Sequence, residues 1–309
     1  MIEYDSRKWA SHLFVIRGAI IGRIFWRLVL FTAWCVAVAA FHKYVRPVAM
    51  PSTVHTLVGV ALGLLLVFRT NCSYDRFWEG RKMWGGIVNE SRNLATAASA
   101  YLGNKHPLVE PIILWTSSFS YSAMHALRGT SGLGPAAERL PSEEVAAVLA
   151  AKHVPSAVAL RIRRLLASAQ AKGQLNYNNT VAIDGNVQLL IDYIGGCERI
   201  LKTPLPFAYV VHLRRALVIY CLTIPFALVE TFGWFTCIVT LLIGYILFGI
   251  EEIGVEIEDP FGDDANDLPL EQICENIERN VFAILNDTQA TAPNDGDGAR
   301  LSLTPQALA

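Results

Sequence analysis

The chain has 309 residues, 53% of them hydrophobic and 17% charged, with a formal net charge of -1 and a mean hydropathy of +0.36. That balance excludes a nucleic-acid binder, which needs a basic excess to meet a phosphate backbone, and it fits a membrane protein better than two soluble domains. Six cysteines (Cys35, Cys72, Cys197, Cys221, Cys237, Cys274) show no CxxC pair, and three lie in apolar runs, so buried free thiols are expected.

The opening MIEYDSRKW puts acidic residues ahead of the first basic ones and has no cleavage site after a short apolar run, unlike a removable signal peptide. Leu28 to Phe41 is free of charge. Extended back toward Ile16, with Arg17, Arg23 and Arg27 snorkelling or facing protein, it reaches across roughly 30 Å of hydrocarbon. After the polar link HKYVRP, Val48 to Phe68 carries His55 as its only titratable group and predicts a second, returning span.

From Arg69 to about Lys202 no segment is both long and uncharged, so this region is expected outside the bilayer. Apolar periodicity predicts helices near 70–102, 107–129, 142–170 and 176–201. Breaks are expected at Gly103, Pro107, the GTSGLGP run, Pro141 and Gly173, and Ser142 with Glu143 and Glu144 marks a helix start. Phe207 to Val229 is apolar apart from His212, Arg214 and Arg215; a turn at Glu230 to Gly233 leads into the uncharged Trp234 to Ile250, completing four spans. His212, Arg214 and Arg215 fit either a water-filled cavity or the membrane boundary. Lys43, Arg46 and Glu230 are the only charges on the far side, so the positive-inside rule places both termini in the cytoplasm of a multi-pass inner-membrane protein. An acidic stretch then precedes a helix from about Leu268 to Asn286, and the polar tail beyond is expected to be disordered.

With no β pattern, the fold class is all-α. Its expected segments are 1–68 (two spans), 69–202 (helical cytosolic region), 203–253 (two spans), 254–287 (acidic segment and helix) and 288–309 (tail).

The stretch Gly59 to Gly85, GVALGLLLVFRTNCSYDRFWEGRKMWG, passes from an uncharged apolar helix into charge and aromatics, as a helix leaving the membrane would. Val60, Leu64 and Phe68 fall at i, i+4 and i+8 and so share one face, a pattern that by itself fits lipid or core packing. Gly59 and Gly63 form a weak close-packing signal. Arg69, Asp75, Arg76, Glu79, Arg81 and Lys82 could be a solvated face, but Tyr74, Phe77, Trp78 and Trp84 are interleaved with them. Some of these charges are therefore expected to be buried and paired, with Arg69, Asp75, Arg76, Trp78 and Glu79 coupling this helix to the polar region.

Glu256, Asp259, Asp263, Asp264 and Asp267 supply hard oxygens of the kind calcium takes, without EF-hand spacing, and Asp267 could instead cap the helix beginning at Leu268. No GxSxG, P-loop, HExxH or GxGxxG occurs, so an enzyme is not expected and no catalytic residue is assigned.

FRTNCSYDRFWEGRKMWG, together with TPLPFAYVVHLRR (203–215) and EEIGVEIEDPFGDDANDLPLE (251–271), resembles the bestrophin family of ion channels, over roughly residues 10–285 and most closely its prokaryotic members. The resemblance implies a homopentamer in a lipid bilayer, passing monovalent ions through a central pore. It matches Val60, Leu64 and Phe68 to an apolar neck ending just before Arg69; stacked apolar rings stop ions by dewetting. It also implies a second, cytosolic constriction on the helix bearing Thr180 and Ile183, with Ile183 equally suited to a core. Animal bestrophins hold a calcium clasp at the acidic run. Asp264 and Asp267 match two of its acidic ligands, whereas Glu256 and Asp259 stand where the clasp has amides, so no cofactor is expected to be required. The prokaryotic likeness and the acidic segment tip the expectation toward cations. An anion channel of the same fold, favoured by Lys43 and Arg46, stays open, as does a non-conducting scaffold or receptor.

Overall fold

A computed structural model describes residues 20–103 and 106–290, which form nine α-helices, two short 3-10 turns and no strand. In order these are α1 (Ile21–Tyr44), α2 (Ser52–Leu102), α3 (Val109–Leu127), α4 (Ser142–Leu149), α5 (Val154–Ala171), α6 (Tyr177–Lys202), α7 (Phe207–Phe232), α8 (Thr236–Glu256) and α9 (Leu270–Ala290). The all-α class is as expected. Two compact units are present: one takes residues up to Gly86, Met124–Thr130 and Asp192–Gln272, the other Ile87–Ala123, Ser131–Ile191 and the chain from Ile273.

In the first unit, α1 buries Ile24, Leu28, Phe31, Cys35 and Val38, which recur every three or four residues and so form one stripe against α7 and α8. Leu62 and Leu66 of α2, Leu213, Leu217, Cys221 and Ile224 of α7 and Phe248 of α8 complete that core. Gly244 is needed for the fit, because a Cβ there would lie 2.6 Å from the Phe31 ring. Helices α7 and α8 form the expected hairpin. Gly233, at φ +50, ends α7 in a conformation that side-chain-bearing residues rarely adopt, and a 3-10 turn (Gly233–Phe235) starts the return. Among the described residues three stretches are long and apolar enough to cross a membrane: Ile21–Tyr44, a part of Ser52–Leu102, and Phe207–Glu256, which contains the hairpin. Trp26, Leu30, Leu242 and Ile238 are large, apolar and exposed on them, as lipid-facing residues would be.

In the second unit, α3 is almost wholly enclosed, through Ile112, Trp115 and Phe119 and also through Thr116, Ser120 and Ser122. These hydroxyls donate to the carbonyls of Ile112, Ser117 and Phe119, which removes the cost of burying them. The Tyr121 hydroxyl donates to Glu278 of α9 at 2.8 Å, and burial together with that carboxylate pushes its pKa up.

The single helix expected over 142–170 is two helices. Pro155 sits in the first turn of α5, where its missing N–H goes unnoticed, and His153 Nδ1 accepts from the Ser156 N–H as the cap. Helix α9 continues to Ala290, into what was expected to be tail; the remainder of the tail and the N-terminal extension toward Ile16 lie outside the described residues.

Candidate functional site: an exposed apolar face above a buried arginine cluster

Helix α2 divides into two faces. Leu62, Leu66, Arg69 and Ser73 are buried, while Val60, Leu64 and Phe68 are 71%, 56% and 53% exposed. Three large apolar side chains therefore stand in line on a helix that packs through Leu62, Leu66 and Arg69. The same outward stripe continues through Asn71, Asp75, Trp78 and Lys82. Of the two paired glycines, Gly59 lies against Tyr220, whose hydroxyl would be 2.8 Å from an added Cβ, but Gly63 has open space beside it. The GxxxG-type expectation holds for the first glycine only.

Directly after Phe68 the helix turns a charge inward. The Arg69 guanidinium is 1% exposed and donates through Nη1 to the Glu251 carboxylate at 2.7 Å and to its carbonyl at 3.2 Å; its Nη2 lies 3.8 Å from Glu258. Glu251 also receives Arg214 of α7 at 3.0 Å and Arg27 of α1 at 3.2 Å, and Arg27 reaches Glu252 at 2.8 Å. One buried carboxylate thus gathers guanidiniums from three other helices. Arg27 and Arg214 are 47% and 53% exposed, whereas the Arg69–Glu251 pair is enclosed and is tolerable in that low-dielectric setting because each charge has a partner.

The coupling residues are only partly as expected. Arg69 couples α2 to α8, not to the polar region. Arg76 donates to the carbonyls of Glu258 (3.0 Å), Ile200 (2.7 Å) and Thr203, and Glu79 meets Arg199 at 2.5 Å, so these two tie α2 to the end of α6 and the turn after α8. Asp75 and Trp78 are exposed; Trp78 has the Lys82 ammonium 5.8 Å from its ring centre, within cation-π range.

In the acidic segment, Asp264 pairs with Arg23 at 2.9 Å, and Glu256 lies 3.7 Å from the same arginine and accepts from Asn266 at 3.0 Å. Asp259 accepts the Phe261 N–H, and Asp263 and Glu271 pair with Arg128. Asp267 does not cap a helix: its carboxylate turns back to accept the Asp264 N–H at 2.7 Å, three residues before α9 begins. Burial pushes Asp267 up to about 6, and Arg128 holds Glu271 below the usual carboxylate range. Among the described residues no group of three or more His, Cys, Asp or Glu is placed to hold a metal ion. An arginine stands between Glu256 and Asp264, where a shared cation would have to sit.

Ile183 is 0% exposed, enclosed with Val187 and Leu190 on the inward face of α6, and so cannot line a passage. Thr180 is half-buried and donates to the Asn176 carbonyl. The apolar residues that this helix turns outward near them are Tyr177 and Val181. Flanking by small and polar residues misidentified the exposed position, because the apolar period places 183 on the stripe with 187, 190 and 194. All six cysteines are free; four are buried, Cys237 is intermediate and Cys72 is exposed, contrary to expectation. Arg214 pairs with the buried Glu251 although its own side chain is 53% exposed, and His212 and Arg215 are exposed as well. The sequence reading missed Glu251 and Glu252. The available signal was two adjacent acids closing an uncharged span, opposite arginines near the corresponding ends of three others.

An all-helical membrane protein with an outward apolar line on one helix and a buried arginine–carboxylate cluster beneath it is the class these features define. The model of the "Bacterial/Fungal Bestrophin protein" family matches residues 1–283, and the chain belongs to that family. A relative in Nostoc sp., the voltage-dependent anion channel-forming protein alr2987, is 37% identical over 294 residues, covering 94% of each chain. The protein of that name designated sll1024, from Synechocystis sp., is 36% identical over 281 residues, or 90% of this chain and 92% of its own. A crystal structure of a bacterial bestrophin homolog from Klebsiella pneumoniae superposes with a TM-score of 0.80 at 30% identity, over 85% of this chain and 98% of that one. This family membership sets the chain among channel proteins rather than enzymes.

Proposed function

We propose that the protein is a homopentameric channel that passes small monovalent anions through a central pore lined by α2, with Val60, Leu64 and Phe68 as its apolar neck. The observation that carries this reading is the exposure of those three residues in line on a helix that packs into the core through Leu62, Leu66 and Arg69. Copies arranged around an axis would close them into rings, and apolar rings of small radius shed water and hold back ions until they widen. The α7–α8 hairpin with α1 and the first part of α2 supplies four spans. The few charges on the Lys43 and Arg46 side put both termini in the cytoplasm of a cell-membrane protein.

Anions are preferred here over the cations expected from the sequence. The cation expectation rested on the prokaryotic likeness and, on the inner side, on the acidic segment, yet Glu251, Glu252, Glu256, Glu258, Asp263, Asp264 and Glu271 each stand within ion-pair distance of an arginine. Acids neutralised in this way give a passage little negative field. The names of the Nostoc and Synechocystis relatives agree with anions. The test is the reversal potential of purified protein in planar bilayers under a KCl gradient. A potential on the chloride side supports the reading, a potential on the potassium side restores the cation alternative, and silence under every ionic condition supports a scaffold.

A further inference from the structure

A cavity of about 520 Å³ opens between α2 and α7, away from the core they share with α1 and α8. Its walls are apolar, with Val54 and Val58 on one side and Ile219 and Tyr220 on the other. It runs from Met50 and Thr223 at one end to His212 and Arg215 at the other. The stretch of α7 from 212 to 223 measures about 16 Å at 1.5 Å per residue, so the cavity is an elongated groove. Val54 and Ile219 are each 62% exposed, which leaves it open along its side.

Charge is confined to one end. No acid lines the groove, and Arg215 makes no ion pair among the described residues, whereas its neighbour Arg214 is bound to Glu251. His212 and Arg215 lie three residues apart on α7 and both face the groove. A second polar feature lies further in. His55 Nδ1 is buried without a hydrogen-bond partner, and its ring is 6.2 Å from that of Tyr220, which is five residues or about 7 Å along α7 from Arg215.

We propose that this groove holds an anionic phospholipid, with its phosphate between Arg215 and His212, its glycerol ester near His55 and one acyl chain along Val54, Val58 and Ile219. Both walls belong to stretches apolar and long enough to cross a membrane, which is why the proposal sets lipid against the open side. An unpaired guanidinium there is costly, and a phosphate meets it with charge and two parallel hydrogen bonds. His55 in its Nδ1–H tautomer donates to the ester carbonyl, which satisfies the orphaned atom. An arginine that merely snorkels would need neither the groove nor the second polar group.

The proposal does not depend on conduction, and its test reads lipid retention. Full-length protein is purified, exchanged into nanodiscs containing equal phosphatidylglycerol and phosphatidylcholine, extracted again and weighed by native mass spectrometry. Wild type is expected to keep phosphatidylglycerol at least tenfold over phosphatidylcholine. The His212→Gln/Arg215→Gln double variant should bring that ratio within twofold, and Ile219→Trp, which fills the groove, should lose both lipids. Arg46→Gln, on a residue outside the groove, should behave as wild type. Equal retention in wild type, or a preference that survives in the double variant, overturns the proposal. So does efficient cross-linking of Ile219→Cys to a second copy of the chain, which would show that a neighbouring subunit covers this face.

Discussion

The Arg69 guanidinium and the Glu251 carboxylate meet at 2.7 Å inside the protein, one residue beyond the side chain of Phe68. The contact fixes the rotation of α2 about its own axis, and that rotation decides which residues the helix turns outward. Removing one partner of a buried pair leaves the other charge stranded, a loss of roughly 3–5 kcal/mol. Glu251→Ala removes the carboxylate that three arginines share, leaving Arg27 with Glu252 and the buried Arg69 with only the more distant Glu258, and is expected to unfold or disassemble the protein under conditions that wild type survives. Thermal unfolding in detergent checks this, and a shift corresponding to less than about 1 kcal/mol would remove Glu251 from the centre of the cluster.

Truncation along α2 should divide by face. Leu64→Ala and Phe68→Ala are expected to raise single-channel conductance or open probability while the oligomer survives size exclusion. Leu62→Ala and Leu66→Ala, on buried residues, should each cost about 2–5 kcal/mol of stability. Unchanged currents from the first pair in an intact oligomer would mean that this face does not line the pore.

Ile183→Ala is expected to behave as a core change, destabilising by about 2–5 kcal/mol without altering selectivity or conductance. Tyr177→Ala and Val181→Ala should leave stability within about 0.5 kcal/mol of wild type, as exposed positions do. If either one changes conductance, the inner constriction lies on the outward face of α6.

Asp267 gives the acidic segment a pH dependence. Its carboxyl is held up to about 6 by burial, above its ordinary value of 3.8. Between those values the folded protein binds a proton that the unfolded chain releases, so this contribution is full below about pH 4 and lost as pH rises through about 6. Asp267→Asn keeps an oxygen for the Asp264 N–H and removes the ionisation. Relative to wild type it should be more stable at pH 7 than at pH 4, followed by hydrogen exchange of residues 262–268. An equal difference at both pH values would contradict the assignment.

Calcium should not be needed for current, because Arg23 already engages both Glu256 and Asp264. Recordings with a strong chelator are expected to match those in micromolar calcium. Loss of current in chelator, reproduced by Asp264→Ala, would reverse this.

The long-range architecture was legible because it follows from one-dimensional patterns. Uncharged runs gave the apolar helices, Gly233 gave the hairpin turn, and the lack of a breaker across Phe68 and Arg69 gave an unbroken α2. The outward line of Val60, Leu64 and Phe68 follows from helical geometry plus a resemblance. What was not legible depends on which side chain meets which across more than a hundred residues. Arg69 with Glu251, Arg76 with the end of α6 and Asp264 with Arg23 are set by packing, so charge type alone could not separate a metal ligand from an ion-pair partner. Pro155 was legible and was passed over, since proline in a first turn starts a helix as readily as it breaks one.

The cluster around Glu251 also has an order in time. Arg27 leaves the ribosome 224 residues before Glu251, a wait of roughly 11–45 s at 5–20 residues per second. Arg69 and Arg214 join it in turn, and all three stay without their carboxylate until α8 is made. Completion of the last apolar helix is therefore the event that locks the others, and a chain cut short before residue 251 carries three unmatched positive charges for the cell's degradation machinery to recognise.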